Sequence, residues 1–426
     1  MPSVLLKEVR RRANLYSAWN SVRDNVMASG STEFKEKAAE ISKNPLSYLE
    51  KIYNKLRKNE FVFEHQKGIL KIESSDKKRP LVIAPINNRI VQRALLNVLQ
   101  NEGMKKYLGQ IPAILNTETS VGGIPKKGVF TAIQLIKKAM KEDYCCFVKS
   151  DIKDFFTKIP KDRVYKFVLD QTQDEEFANF FRDALSTELA NLEELKNDSG
   201  LFPNEYTGVP QGSCLSAFAG NIVLQEFDKT LNGRGIITIR YIDDFVILGK
   251  SERSVKRAFQ SANDKILVEL GMEAYKPELN PNKASMGSIS NGNGFDFLGC
   301  KIRLAYIAPS NKSKERLYQA IKDVQFFTEK AIKIYQDQDQ KRRAGDAFAQ
   351  YLTKIDRKIR GWGDAFAFCD EFSYKKQMDE KLNGILMGFI NPILKKLTSD
   401  NLSIEQKRRM FGIALLQDGL VKDIQC

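Results

Sequence analysis

Two stretches decide how this chain reads. One is Tyr144-Cys-Cys-Phe-Val-Lys-Ser-Asp151-Ile152, running on through Lys153-Asp154-Phe155-Phe156. The other is IITIRYIDDFVILG, residues 236–249. The first is an apolar run of strand length that ends on an aspartate, so the Asp151 carboxylate belongs at the strand's end. The second is two β-rich runs meeting at Asp243 and Asp244. Adjacent aspartates inside an apolar hairpin cannot be buried unpaired. The tip of the turn resolves this, with both converging on divalent cations together with Asp151. Three carboxylates without histidine are hard oxygen ligands, suited to Mg²⁺, with Mn²⁺ as a substitute, and not to zinc or copper. Two such ions about 3.5–4 Å apart would activate an attacking hydroxyl and stabilise a leaving pyrophosphate, which is phosphoryl transfer.

The composition agrees. The 426 residues suggest two to three domains, and 42% apolar content supports a folded core. Lys and Arg number 68 against 53 Asp and Glu, a net charge of +15 that favours a polyanionic partner. The excess is uneven. Residues 1–60 carry +5, residues 61–140 carry +8 and residues 301–360 carry +8, while residues 141–300 carry −6. An acidic middle between basic arms is the distribution expected of a metal-binding centre embraced by phosphate-gripping surfaces. His65 is the one histidine, which excludes paired-His zinc sites and Ser-His-Asp chemistry elsewhere in the chain. The six cysteines (145, 146, 214, 300, 369 and 426) form no C-x-x-C pair. Cys145 and Cys146 read as buried reduced thiols, as expected of a cytoplasmic protein. No run approaches the roughly 18 apolar residues of a membrane span, and the N-terminus reads as a basic amphipathic helix, not a signal peptide.

Periodicity suggests three regions. Residues 1–60 form a helical N-terminal extension, with stripes at Leu5, Val9, Leu15 and Trp19 and at Leu46, Leu49, Ile52, Tyr53 and Leu56. Residues 61–308 mix strands and helices. FVFEHQKGILKI and PLVIAPI read as a hairpin, and Asn88–Asn101 as a helix. Residues 309–426 are helical, with Pro309-Ser310-Asn311 as a linker and Leu317, Ile321, Val324, Thr328, Ala331 and Tyr335 as a buried stripe.

Asp151-x-x-Asp154-Phe-Phe156, Gly208-Val-Pro210-Gln211-Gly212-Ser213 and Tyr241-Ile-Asp243-Asp244, in this order, resemble the palm of reverse transcriptases. Lys77-Lys78-Arg79-Pro80-Leu81 with Asn88-Arg89-Ile-Val-Gln92 resembles the fingers of bacterial and group II intron-type enzymes, which usually show Asp where this chain has Asn88. Ser120-Val-Gly122-Gly-Ile-Pro125 is similar to the next block. Leu279-Asn280-Pro-Asn-Lys283 resembles the lysine motif after the double aspartate. Phe295-Asp-Phe297-Leu298-Gly299 resembles the primer grip, and Arg360-Gly361-Trp362 a thumb element. The fold implied is α+β: a right-hand polymerase of fingers, a palm with an antiparallel RRM-like sheet, and a thumb, flanked by helical N- and C-terminal regions.

The resemblance implies roles. Asp151 and Asp243 would be the main metal ligands, with Asp244 and the Ile152 carbonyl beside them. Phe156 falls at the steric-gate position, implying deoxynucleotides. Gln211 and Gly212, opening a helix, would approach the incoming nucleotide and template with their backbone. Arg79, with Lys71, would clamp the triphosphate. Lys283 would protonate the pyrophosphate, and Phe297, Leu298 and Gly299 would grip the primer. Helical residues 313–360 would follow the duplex through phosphate and sugar contacts. Arg10, Arg11, Arg12 and Arg89 would contact RNA.

A nuclease tail, a Val-Thr-Gly signature and an RNase H-like carboxylate set are not evident. What remains resembles the stand-alone, defence-associated (unknown-group) bacterial reverse transcriptases. That likeness implies an RNA-directed DNA polymerase in anti-phage defence. Its partners would be dNTPs, a structured noncoding RNA template and the cDNA product, with no membrane involved. The alternatives are a maturase-type RNA-binding scaffold and an RNA-templated RNA polymerase.

Overall fold

The computed structural model describes residues 3–72, 78–233, 235–292, 294–337, 341–370, 373–397 and 403. Lys77 and Cys426 lie outside these residues, as does the side chain of Tyr335. The chain divides into two compact units, Met1–Ser290 and Asn291–Cys426.

The first unit opens with four helices: α1 (Val4–Val9), α2 (Arg12–Ala28), α3 (Thr32–Lys43) and α4 (Pro45–Arg57). Ser3 caps α1 by accepting the Leu6 N–H at 2.9 Å, and its own hydroxyl donates to Asp174 at 2.6 Å, pinning the extension to the helix Glu175–Leu185. Asn44 caps α4 and Pro45 occupies its first turn, where a missing N–H costs nothing. Leu15, Ala18, Trp19, Val22 and Val26 recur at three- and four-residue spacing on α2 and are buried against α5 (Ile86–Leu99). Leu46 departs from the expected stripe. It is 68% exposed in the first turn of α4, while Leu49, Ile52 and Leu56 carry the buried face.

The expected strand at residues 61–72 is shorter in fact. Only β1 (Lys67–Ile72) is strand, paired antiparallel with β2 (Lys78–Ile83). Residues 61–65 have no regular structure and are tied to α5 by Asn88, which is fully buried, accepts the Glu64 N–H at 3.0 Å and donates to the Glu64 carbonyl at 2.7 Å. A carboxylate accepts but cannot donate, so the amide is what this contact requires.

The central sheet is antiparallel with strand order β4-β5-β3-β6, formed by β3 (Cys146–Asp151), β4 (Ile236–Tyr241), β5 (Asp244–Gly249) and β6 (Ser285–Ser288). Phe245, Val246, Ile247 and Leu248 are all fully buried, so both faces of β5 are covered. A strand buried on both faces reads as a continuous apolar run without alternation. Phe245 sits between the rings of Phe227 and Phe259. At the sheet's other end, Cys145 and Cys146 are half-buried free thiols, not the fully buried pair expected from their apolar neighbours.

The second unit holds a three-stranded antiparallel sheet, β7 (Phe295–Phe297), β8 (Cys300–Ile302) and β9 (Ile307–Pro309), and the helices Asn311–Asp337, Lys341–Ala365 and Ser373–Leu397. Leu298 and Gly299, with φ of +48° and +81°, form the two-residue turn between β7 and β8. The stretch expected as a linker at residues 309–311 is packed instead. Ser310 is buried, its N–H and the Ser313 hydroxyl both donating to the Gly299 carbonyl. Leu317, Ile321 and Thr328 are buried as the periodicity predicts. Among the described residues no helix is long and apolar enough to cross a membrane.

Candidate active site

The strand register assembles the acidic groups. Asp151 ends β3 directly opposite Asp244, which starts β5, and Tyr241 pairs with Asp244 across the β4–β5 hairpin. Ile242 and Asp243 are therefore a two-residue turn, and the Ile152 N–H donates to the Asp243 carbonyl at 3.2 Å. Residues more than 90 positions apart in sequence meet at one end of the sheet's two central strands.

The charges there are unresolved by the protein itself. Burial, then Asp243 and Asp244, push the Asp151 carboxyl up to about 7, and burial with Asp244 raises Asp243. Asp151 Oδ1 is buried without a hydrogen-bond partner. Two lysines offset the repulsion at long range: Lys283 Nζ stands 3.8 Å from Asp151 Oδ2, and Lys149 Nζ stands 3.9 Å from Asp244 Oδ1. Among the described residues no group of three His, Cys, Asp or Glu side chains is placed to hold a metal ion by itself. The donor set nonetheless fits a hard divalent cation: all oxygen, net negative, and with a buried carboxylate oxygen left without a partner.

The β1–β2 hairpin brings a cation near the same carboxylates. Arg79 on β2 lies directly opposite Lys71 on β1, and the charge of Arg79 bears on Asp243. Both side chains are exposed, on the same face of the hairpin. The Val82 N–H of β2 donates to the Gln211 carbonyl at 3.1 Å, tying the hairpin to the loop before the helix Cys214–Val223. Gly212 takes φ +119°, open to glycine alone in practice, and a Cβ there would lie 3.2 Å from the Val82 carbonyl. Phe155 is buried against Gly220, whereas Phe156 is half-exposed, its carbonyl accepting the Val209 N–H at 2.8 Å. Phe155 thus belongs to the core, and Phe156 packs partly buried against it.

Other residues singled out in the sequence stand apart from this end of the sheet or within the second unit. Arg12 spends its fork on Glu50, with two bonds of 2.8 Å, and stacks 3.9 Å over Tyr53. Arg11 pairs with Glu8 at 3.2 Å, and Arg10 caps the C-terminus of α1. Arg89 donates to the Ala84 carbonyl at 2.7 Å and lies over Phe34, and its burial lowers its pKa. Phe297 is buried on β7, with Leu298 and Gly299 in the turn after it. Arg360 pairs with Asp356, and Trp362 packs on Phe366.

Sequence reasoning missed Lys149 and Arg240. Lys149 donates to the Lys283 carbonyl at 2.9 Å and links that segment to Asp244. Arg240 lies wholly buried behind the turn, where Asp228 accepts from its Nε at 2.7 Å. A charged residue within the apolar run of residues 236–249 was the available signal, because a buried charge demands a partner.

Several known proteins are similar to this chain. A solved Cas6-RT-Cas1–Cas2 complex (partial) is similar at 21% identity over 62% of this chain and 43% of that one, with a TM-score of 0.35. An uncharacterized 91 kDa protein in the cob intron of Schizosaccharomyces pombe is 28% identical over 43% of this chain and 21% of its own length. A putative COX1/OXI3 intron 2 protein of Saccharomyces cerevisiae is 25% identical over 62% of this chain and 27% of its own. The chain thus spans about a quarter of the length of these curated relatives. The family model for reverse transcriptase (RNA-dependent DNA polymerase) matches residues 49–302, more than half of the chain. With the α+β palm and its paired aspartates, this places the chain in the reverse transcriptase family.

Proposed function

We propose that the chain is an RNA-templated DNA polymerase that makes cDNA from a dedicated noncoding RNA in bacterial anti-phage defence. The observation that carries the polymerase reading is the register that sets Asp151 opposite Asp244, with Asp243 in the turn between β4 and β5. Asp151, Asp243, Asp244 and the Ile152 carbonyl would hold Mg²⁺. Such ions would supply Lewis acidity there, lowering the pKa of a primer hydroxyl and stabilising the charge of a leaving pyrophosphate.

The chain's own residues do the rest. Arg79 and Lys71 bind the triphosphate as a cationic pair, and the Gln211–Gly212 backbone lines the nucleotide's path. Phe156 presents a half-exposed ring at the sugar and disfavours a 2′-hydroxyl by its bulk. Lys283, near Asp151 and 51% exposed, delivers a proton to the leaving pyrophosphate. Phe297, Leu298 and Gly299 form the primer grip, and the helices of residues 313–360 follow the duplex. Arg10 and Arg11 offer an RNA-binding surface, with Arg12 and Arg89 supporting it through their contacts to Tyr53 and Phe34.

The test is extension of a primed RNA with dNTPs and Mg²⁺. Wild-type protein extends the primer, and Asp243→Ala with Asp244→Ala does not; equal extension by both removes the site assignment. Phe156→Ala admits ribonucleotides, whereas unchanged sugar preference removes the gate. Sequencing nucleic acid copurified from cells identifies the template. Recovery of bulk cellular RNA, with no enriched species, contradicts the dedicated noncoding RNA.

A further inference from the structure

Ile242 has φ of +61°. A β-branched residue in the left-handed region is a genuine outlier, kept there only when its surroundings over-determine it. The surroundings are on the side of the turn away from the carboxylates. Arg240 is fully buried and uses all three guanidinium nitrogens: Nε donates to Asp228 Oδ1 (2.7 Å), Nη2 to Ser120 Oγ (2.7 Å), Asn221 Oδ1 (3.1 Å) and Asp228 Oδ2, and Nη1 to the Ile242 carbonyl (2.8 Å). The backbone of Arg240 is braced as well, its N–H donating to the Thr119 carbonyl at 2.9 Å and its carbonyl accepting the Val121 N–H at 2.8 Å. The next residue, Gly122, is pressed so closely on the turn that a Cβ would stand 2.3 Å from the Ile242 nitrogen, and the Gly122 carbonyl accepts from Asn221 at 3.1 Å.

We propose that Arg240 is a positioning residue: anchored by Asp228, Ser120 and Asn221, it holds the Ile242 carbonyl so that the turn stays left-handed and Asp243 faces Asp151 and Asp244. This deepens the polymerase reading and rests on it. The strain is useful because a turn that relaxed to ordinary φ would rotate the Asp243 peptide, and with it the carboxylate, off this end of the sheet. Lysine at 240 would keep a charge for Asp228 but has no fork with which to reach the Ile242 carbonyl as well. Asparagine at 242 would tolerate the left-handed conformation without the clamp.

The experiment compares wild type, Arg240→Lys, Ile242→Asn and the double variant in steady-state primer extension. Terbium luminescence titration without nucleotide and thermal melting are measured on the same proteins. Arg240→Lys is expected to lower kcat by about 10–100-fold, the worth of a hydrogen bond made by a charged group, with KM for dNTP little changed and terbium binding weakened. Adding Ile242→Asn restores most of kcat and of terbium binding without raising Tm to match. Wild-type kcat in Arg240→Lys overturns the proposal, as does a double variant no better than Arg240→Lys. Should Arg240→Lys fail to fold, Gly122→Ala leaves the arginine network intact and pushes on the Ile242 nitrogen. It is expected to lower kcat with KM unchanged, and an undiminished kcat overturns the proposal. If wild type itself does not extend a primer, the polymerase reading fails. The terbium arm still decides whether Arg240 sets the turn.

Discussion

The two sides of the Ile242–Asp243 turn solve opposite problems. On the carboxylate side, like charges crowd together, Asp151 Oδ1 has no partner, and the compensating lysines stand 3.8 and 3.9 Å away. Behind the turn, one wholly buried arginine is matched by a carboxylate, a hydroxyl, an amide and a backbone carbonyl. A buried carboxylate oxygen left short among like charges is one that a cation from outside can complete. The satisfied side supplies the rigidity that makes the unsatisfied side tolerable.

Breaking the satisfied side is expected to have the largest effect on the fold. Asp228→Ala leaves Arg240 charged, buried and without its carboxylate. Removal of one partner from such a pair costs about 3–5 kcal/mol. The expected outcome is a large fall in the midpoint of urea unfolding together with loss of extension. A midpoint within error of wild type would show that the ion pair contributes nothing.

Altering the unsatisfied side inverts that result. Asp243→Asn removes one of the charges that raise Asp151, so the protein should melt at the wild-type temperature or above it. Primer extension should fall by at least about a thousandfold, about 4 kcal/mol of transition-state stabilisation. A variant that loses stability and activity in parallel would erase the distinction between the two sides.

The same asymmetry predicts a pH dependence. In the native protein the Asp151 carboxyl keeps its proton up to about 7, against 3.8 when the group is unperturbed. Between those values the folded state binds more protons than the unfolded one, so stability falls as pH rises through the window and levels off above it. Metal-free protein should therefore lose Tm between about pH 4 and pH 7, and Mg²⁺ should restore part of it at pH 8. Asp151→Asn should flatten that slope. A slope that persists in Asp151→Asn would assign the effect to other groups.

How much of this was legible in the sequence follows the same division. The carboxylates could be found because each ends an apolar run, where a charge has no other reason to be. The β5 strand declared itself by four consecutive apolar residues. Arg240 escaped notice because its partners are scattered: Ser120, Asn221 and Asp228 are short polar residues on three different segments, brought together only by the tertiary fold. The N-terminal arginines show the converse. A basic run at residues 10–12 looks like one surface, yet Arg12 is committed to Glu50 and Tyr53, some forty residues onward, which no local pattern encodes. Leu46, and the linker read at residues 309–311 from its Pro, Ser and Asn, misled for a related reason: local pattern does not say what packs against it. Periodicity reports which face is apolar but not where the neighbouring element stops covering it.

Asn88 extends the comparison away from the turn and carries the smallest expected effect. Its amide is buried, with both ends used on the Glu64 backbone, so it belongs with the satisfied groups although it lies in a fingers-type motif where related enzymes usually carry aspartate. Asn88→Asp keeps the acceptor for the Glu64 N–H and replaces the donor facing the Glu64 carbonyl with a second oxygen. Two oxygens then face each other out of water, a penalty of about 1–3 kcal/mol for a buried polar group left without its partner. Unfolding should register that loss at neutral pH and less of it in acid, where a protonated carboxyl regains an O–H donor. Extension activity should hold, because Asn88 holds residues 61–65 in place and touches none of the acidic groups. A loss of activity without a loss of stability would instead place Asn88 on the side of the molecule that waits for a ligand.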